Sequence, residues 1–247
     1  MTFKDHFSRQ AQRYAAARPR YPVALYEWLF AQVEALEHAW DAATGNGQVA
    51  LALAERFARV TATDASAAQL RHAFPRANVS YRNEPAEAPS LADASVDLVT
   101  VGQALHWFDR PRFFEAARRV MKPGAVIAAW TYNLSHVTPA VDAVYRGVYY
   151  DALAGDWPPE RALVEDSYRG IELPFTPIEG APSLALSASW SCDEYLAYFE
   201  TWSATQRHRD RTGVDPIAPI VPAMRAAWGD VERRVVTWPL TLLVGRR

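Results

Sequence analysis

The chain has 247 residues, 50% of them hydrophobic and 22% charged, with a formal net charge of −2. That near-neutral balance leaves no overall basic field to grip nucleic acid or an anionic membrane, and a single cysteine, Cys192, excludes an intrachain disulfide framework and a thiolate-built zinc site. No stretch approaches the roughly 18 uninterrupted apolar residues of a membrane span, and the first ten residues lack an apolar core of signal-peptide length. The chain reads as a soluble, cytoplasmic protein.

Leu25, Leu29, Val33 and Leu36 recur at helical spacing and predict a helix over 22–36, with Pro22 suited to its start. A buried strand over 38–43 runs into Thr44-Gly45-Asn46-Gly47, and a helix over 48–57 follows with Val49, Leu53 and Phe57 on one face. Next come a strand over 60–63, a helix over 66–74 capped by Ser66, and strands over 79–82 and 96–101. An amphipathic helix over 109–121 stops at Lys122-Pro123-Gly124 before a strand over 125–131. Strands alternating with helices mean right-handed crossovers and a parallel sheet, so this half is α/β.

Beyond Tyr132 the pattern changes. Helices are expected over 137–153 and 159–170, around the breaker Gly155-Asp156-Trp157-Pro158-Pro159. An alternating strand over 183–189, a helix over 192–205 and a closing strand over 235–244 complete the chain, with Pro239 arguing for an edge or bulge position. No Gly/Ser/Pro-rich linker divides it, so residues 1–247 are read as one domain. Within that domain 1–36 form a lid and first helix, 37–131 a ligand-binding core, 132–230 a helical, substrate-side insertion, and 231–247 the closing strand.

The informative segment is Asp41-Ala42-Ala43-Thr44-Gly45-Asn46-Gly47-Gln48, a strand feeding a tight glycine turn that opens a helix. Gly45-x-Gly47-x-x-Ala50 satisfies a dinucleotide fingerprint on its own, which keeps an NAD(P)-dependent oxidoreductase as one alternative. Asp41, however, would repel a pyrophosphate but could pair with an ammonium group. Asp64, at the end of the next strand, can accept hydrogen bonds from a ribose diol. A ligand carrying an amino acid and an adenosine but no phosphate fits both acids, and that ligand is S-adenosylmethionine.

In order along the chain, these motifs resemble the class I S-adenosylmethionine-dependent methyltransferases. Asp41 to Gln48 is similar to the family's first glycine motif, with Ala43 in place of its first glycine; a methyl there is tolerated at negative φ and strained at positive φ. Thr61-Ala62-Thr63-Asp64-Ala65-Ser66 resembles the ribose-binding strand end, and Pro85-Ala86-Glu87-Ala88-Pro89 the adenine-edge loop, where the side-chain contact moves to Glu87 because Pro85 replaces a frequent aspartate. Ser95 to Val99 and Val120 to Gly124 are similar to the later strand motifs. Gln103-Ala104-Leu105-His106-Trp107-Phe108-Asp109 resembles a signature of the methyltransferase type 11 group that includes trans-aconitate methyltransferase-like enzymes.

The resemblance implies a Rossmann-like sheet, mostly parallel with an antiparallel closing strand and helices on both faces. It implies S-adenosyl-L-methionine as cofactor, held by Asp41, Ala43, Gly45, Gly47, Asp64, Ala65, Ala86, Glu87 and Gln103; no histidine–carboxylate cluster has ligand spacing, so no metal is expected. The expected reaction is methyl transfer to a small molecule, with O-methylation of a carboxylic acid of the trans-aconitate type as the specific form. His106 is the candidate base if the acceptor needs one; Tyr14, Arg18, Tyr21, His106, Trp107, Trp130 and Arg207 are candidate acceptor contacts. A non-catalytic protein that only binds the cofactor is the other alternative. A base methylase is disfavoured, since Gly102-Gln103-Ala104-Leu105 stands where its N/D-P-P-Y/F loop would be.

Overall fold

The computed structural model describes residues 19–247. Its elements are α1 (Val23–Ala31), β1 (His38–Ala42), α2 (Gln48–Leu53), β2 (Arg59–Thr63), α3 (Ala67–Leu70), β3 (Val79–Arg82), β4 (Val96–Gly102), α4 (Arg110–Val120), β5 (Met121–Tyr132), α5 (Pro139–Gly147), α6 (Arg161–Glu165), β6 (Thr176–Pro177), β7 (Ala185–Trp190), α7 (Cys192–Glu200), α8 (Ser203–Thr212), α9 (Val221–Trp228) and β8 (Arg234–Arg246). A short 3-10 turn, Leu105–Trp107, links β4 to α4.

The strands form one sheet in the order β3-β2-β1-β4-β5-β8-β6. β1 to β5 pair in parallel, and β8 runs antiparallel to β5. β1 is buried at all five positions, as a central parallel strand covered on both faces must be. On one face Leu25, Leu29, Val49 and Leu53 from α1 and α2 pack with Val60, Leu98 and Trp130. On the other, Phe113, Ala117 and Val120 of α4 pack against Trp40, Val99 and Val101. Strand order reverses between β2-β1 and β4-β5, and in such sheets ligands bind outside the carboxyl ends at that switch point.

The second half builds a separate aromatic core around Tyr145, Tyr195, Phe199, Trp202, Trp228 and Trp238. β8 joins it to the sheet by changing partners: residues up to Pro239 pair with β7, and from Leu240 onward it pairs with β5. Pro239 sits at that exchange, where a missing N–H is tolerated.

Several boundaries differ from those predicted. α1 ends at Ala31, α2 at Leu53 and α3 at Leu70, each shorter than its apolar pattern. The Lys122-Pro123-Gly124 turn is taken into β5, at the cost of a register shift opposite Val96 and Leu98. The expected 159–170 helix shrinks to Arg161–Glu165, and the 137–153 helix continues past Gly147 only as a π-turn. The 192–205 helix is two helices, because Trp202 takes an extended conformation, φ −70° and ψ 136°, and starts a new one.

Candidate active site

The carboxyl ends of β1, β2 and β4 open on a cavity of about 770 Å³. Its wall brings together Asp41, Ala43, Gly45, Asp64, Ala65, Ala86, Glu87 and Gln103. Gly45 has φ +60° and open space where a Cβ would stand, so a ligand can reach the backbone there. Gly47 does not line the cavity; its φ of +90° is what favours glycine there, and a Cβ would also press on the Tyr81 hydroxyl behind the turn.

Asp41 is buried, and its carboxylate accepts hydrogen bonds from Thr44 Oγ1 at 2.5 Å and Thr100 Oγ1 at 2.8 Å. Burial pushes its pKa up to about 7 despite those two donors, and the neighbouring charge of Asp64 adds to the rise. Asp64 Oδ2 accepts from Gly45 N at 2.8 Å and Oδ1 from Ser66 N at 2.8 Å. An ionised carboxylate has about four lone-pair sites and can accept several donors at once. Glu87 accepts from Asp109 N at 2.9 Å, tying the 85–89 loop to the start of α4.

Ala43 adopts φ +55°, in the region that favours glycine, so its methyl is strained. Gln103, at the end of β4, has φ +56°. Its amide grips the end of β5: Oε1 accepts from Tyr132 N at 2.7 Å and from Thr131 Oγ1 at 2.9 Å, and Nε2 donates to Tyr132 O at 3.0 Å. Both strained residues face the cavity, where such strain is most often retained.

A second, smaller cavity of about 70 Å³ adjoins the first, and the two share Gln103, Trp107 and Tyr132. His106, Asn133, Ser135, Trp157, Arg161, Tyr198 and Trp202 are among its lining residues. His106 is buried against Trp107, with Nδ1 2.8 Å from Tyr168 Oη. Burial, then the charges of Arg161 and Arg110, pull its pKa down to about 3, so the ring is neutral at physiological pH. Asp156 holds the Trp157 wall in place: its carboxylate accepts from Arg211 Nε at 2.9 Å and Nη2 at 2.7 Å on α8, and lies 2.8 Å from His208 Nδ1.

Of the residues expected to meet the acceptor, His106 and Trp107 line the small cavity, and Tyr21 lines the large one. Trp130 does neither: it is wholly buried in the α1–α2 core, edge-on to Tyr21 at 5.4 Å between ring centres. Arg207 is also displaced from the lining, donating instead to the backbone carbonyl of Asp156 at 3.3 Å. Tyr14 and Arg18 lie outside the described residues. Sequence reasoning missed Arg161, Asn133, Ser135 and Tyr198; nothing in their local spacing marks them.

The large cavity tests its own cofactor. Its described wall carries the carboxylates of Asp41, Asp64, Glu84, Glu87, Asp109 and Glu160 against one cation, Arg112. A pyrophosphate there would meet like charge, whereas an ammonium group and a ribose diol would meet acceptors. These residues suit a phosphate-free, cationic nucleoside rather than a dinucleotide.

Comparison with known proteins leads to the same class. A methyltransferase domain model matches residues 40–129. The solved structure of a candidate type II methyltransferase from Anaeromyxobacter dehalogenans is 49% identical, covers 93% of this chain and 97% of its own, and superposes with a TM-score of 0.85. A methyltransferase-like protein of Dictyostelium discoideum is 29% identical over 99% of this chain and 96% of its own length. A candidate methyltransferase from Bacillus halodurans, 19% identical, covers 90% of this chain and 97% of its own with a TM-score of 0.51, and so shares the fold. The chain belongs to the class I S-adenosylmethionine-dependent methyltransferases, and its cofactor is S-adenosylmethionine.

Proposed function

We propose that this enzyme transfers a methyl group from S-adenosylmethionine to a carboxylate oxygen of a small organic acid of the trans-aconitate type. In this reading Asp41 accepts from the cofactor's ammonium group, Asp64 from its ribose diol, and the 85–89 loop borders its adenine. When bound, the cofactor supplies an activated methyl group on a sulfonium leaving group.

The observation that carries the reading is the absence of a working base in the small cavity. Its described wall holds no carboxylate, and its histidine is held neutral with a pKa of about 3, too weak a base to deprotonate a hydroxyl. A carboxylate acceptor needs no such base, because it is already ionised at neutral pH. The protein's contribution is alignment and exclusion of water, which effective-molarity arguments value at roughly 7–11 kcal/mol. Trp107, Trp157 and Trp202 supply the dry walls, and Gln103 fixes the threshold between the two cavities.

A coupled assay of S-adenosylhomocysteine release across small acids, phenols and quinones tests this. Turnover confined to carboxylic acids supports it. Turnover of phenols or quinones with none on acids refutes it.

A further inference from the structure

We propose that Arg161 selects acceptors bearing a second carboxylate, which it holds in the small cavity while the first is presented at the Gln103–Trp107–Tyr132 threshold. The proposal rests on the carboxylate reading above.

Arg161 is the one cationic side chain in the described wall of that cavity. Two neutral acceptors hold its fork in place: Nε donates to Tyr149 Oη at 2.8 Å and Nη2 to Asn133 Oδ1 at 3.0 Å. The guanidinium also lies over the rings of Trp157 and Tyr149, 5.2 and 5.6 Å from their centres. No carboxylate among the described residues forms an ion pair with it. The nearest connected acid, Glu165, instead accepts from the Tyr149 hydroxyl at 2.5 Å. The phenol thus stands between this acid and the guanidinium, and Nη1 keeps its donors for another acceptor.

A half-buried, braced and unpaired guanidinium matches a planar oxyanion, and its pre-organisation lowers the entropy lost on binding. The size of the cavity limits what the arm can be. A cavity of about 150 Å³ takes up a benzene ring, and 70 Å³ is about half of that. One carboxymethyl arm fits; an aromatic acid with its whole ring inside does not. Arm and reacting group then sit on opposite sides of the shared threshold, which makes a short, flexible dicarboxylate the minimal acceptor.

The test uses the full-length protein saturated with S-adenosylhomocysteine and titrated by calorimetry with glutarate and, separately, butyrate. Glutarate is expected to bind wild type at least tenfold more tightly than butyrate. Arg161→Gln should weaken glutarate at least tenfold, Arg161→Lys should weaken it less, and both should retain wild-type affinity for S-adenosylhomocysteine. Equal binding of the two acids to wild type, or undiminished glutarate binding to Arg161→Gln, overturns the proposal. Absence of glutarate binding to wild type overturns the proposal, while turnover of carboxylic acids in the S-adenosylhomocysteine-release assay would leave the carboxylate reading standing. The wild-type comparison stands even if Arg161→Gln fails to fold.

Discussion

The amide N–H of Gly45 donates to Asp64 Oδ2 across 2.8 Å, so the turn after β1 and the acid ending β2 form one unit. The same carboxylate receives Ser66 N, so it shapes two loops before any ligand arrives. Asp64→Ala strands both donors, at about 1–3 kcal/mol for each one left buried and unpaired. It should lower the melting temperature and weaken S-adenosylhomocysteine at least tenfold. Asp64→Asn, which retains one acceptor oxygen, should fall between Asp64→Ala and wild type in both measurements.

Asp41 ties the ligand-free protein's stability to pH. Its folded pKa, about 7, lies above the unfolded value of about 4. The folded state therefore holds a proton that the unfolded state releases between these values. Its contribution is complete below about pH 4 and is lost as the pH rises towards 7, on the order of a few kcal/mol. Urea titrations of Asp41→Asn should lack that slope. Binding an ammonium group favours the carboxylate, so S-adenosylhomocysteine affinity in wild type should rise with pH up to about 7 and release a proton below it. Calorimetry in buffers of differing ionisation enthalpy reads that proton.

Ala43 at φ +55° holds strain that glycine would relieve. The left-handed conformation costs an alanine roughly 1–2 kcal/mol, while a glycine in the unfolded chain gives back about 0.4–1 kcal/mol. Ala43→Gly should therefore stabilise by up to about 1.6 kcal/mol, and Ala43→Val, β-branched at positive φ, should destabilise. Thermal melts of the two variants should move in opposite directions.

His106 is a fixed, neutral group in the wall of the small cavity. A general base supplies roughly 10²–10⁴ in rate. His106→Gln should cost less than about tenfold in kcat, and the pH–rate profile of wild type should show no histidine limb between pH 5 and 8. A loss of a hundredfold or more, or a limb abolished by the substitution, would make it a base.

The cofactor half was legible because its signals are local. β1, β2 and β4 are short, largely buried runs and β3 a half-exposed edge strand, all bounded by turn residues, and their ends were placed within a residue or so. Asp41, Gly45 and Asp64 converge because β1 and β2 pair in register, Asp41 opposite Ala62 and Ala42 opposite Thr63. The small cavity is a product of tertiary packing. In a chain whose basic residues are nearly all arginine, nothing local separates Arg161, which faces the cavity, from Arg207, which braces Asp156. Trp130 looked like a pocket wall, but alternation along β5 turns it into the α1–α2 core. The break at Trp202 likewise escaped the helical period, since that residue's environment is the aromatic cluster of Tyr145, Tyr149 and Phe199.

The most direct measurement is calorimetric titration of S-adenosylhomocysteine into wild type, Asp41→Asn and Asp64→Asn, with NAD as the control ligand. Saturable binding to wild type, weakened at least tenfold by either substitution and absent for NAD, is the predicted result. Undiminished affinity in both variants, or tighter binding of NAD than of S-adenosylhomocysteine, would contradict it.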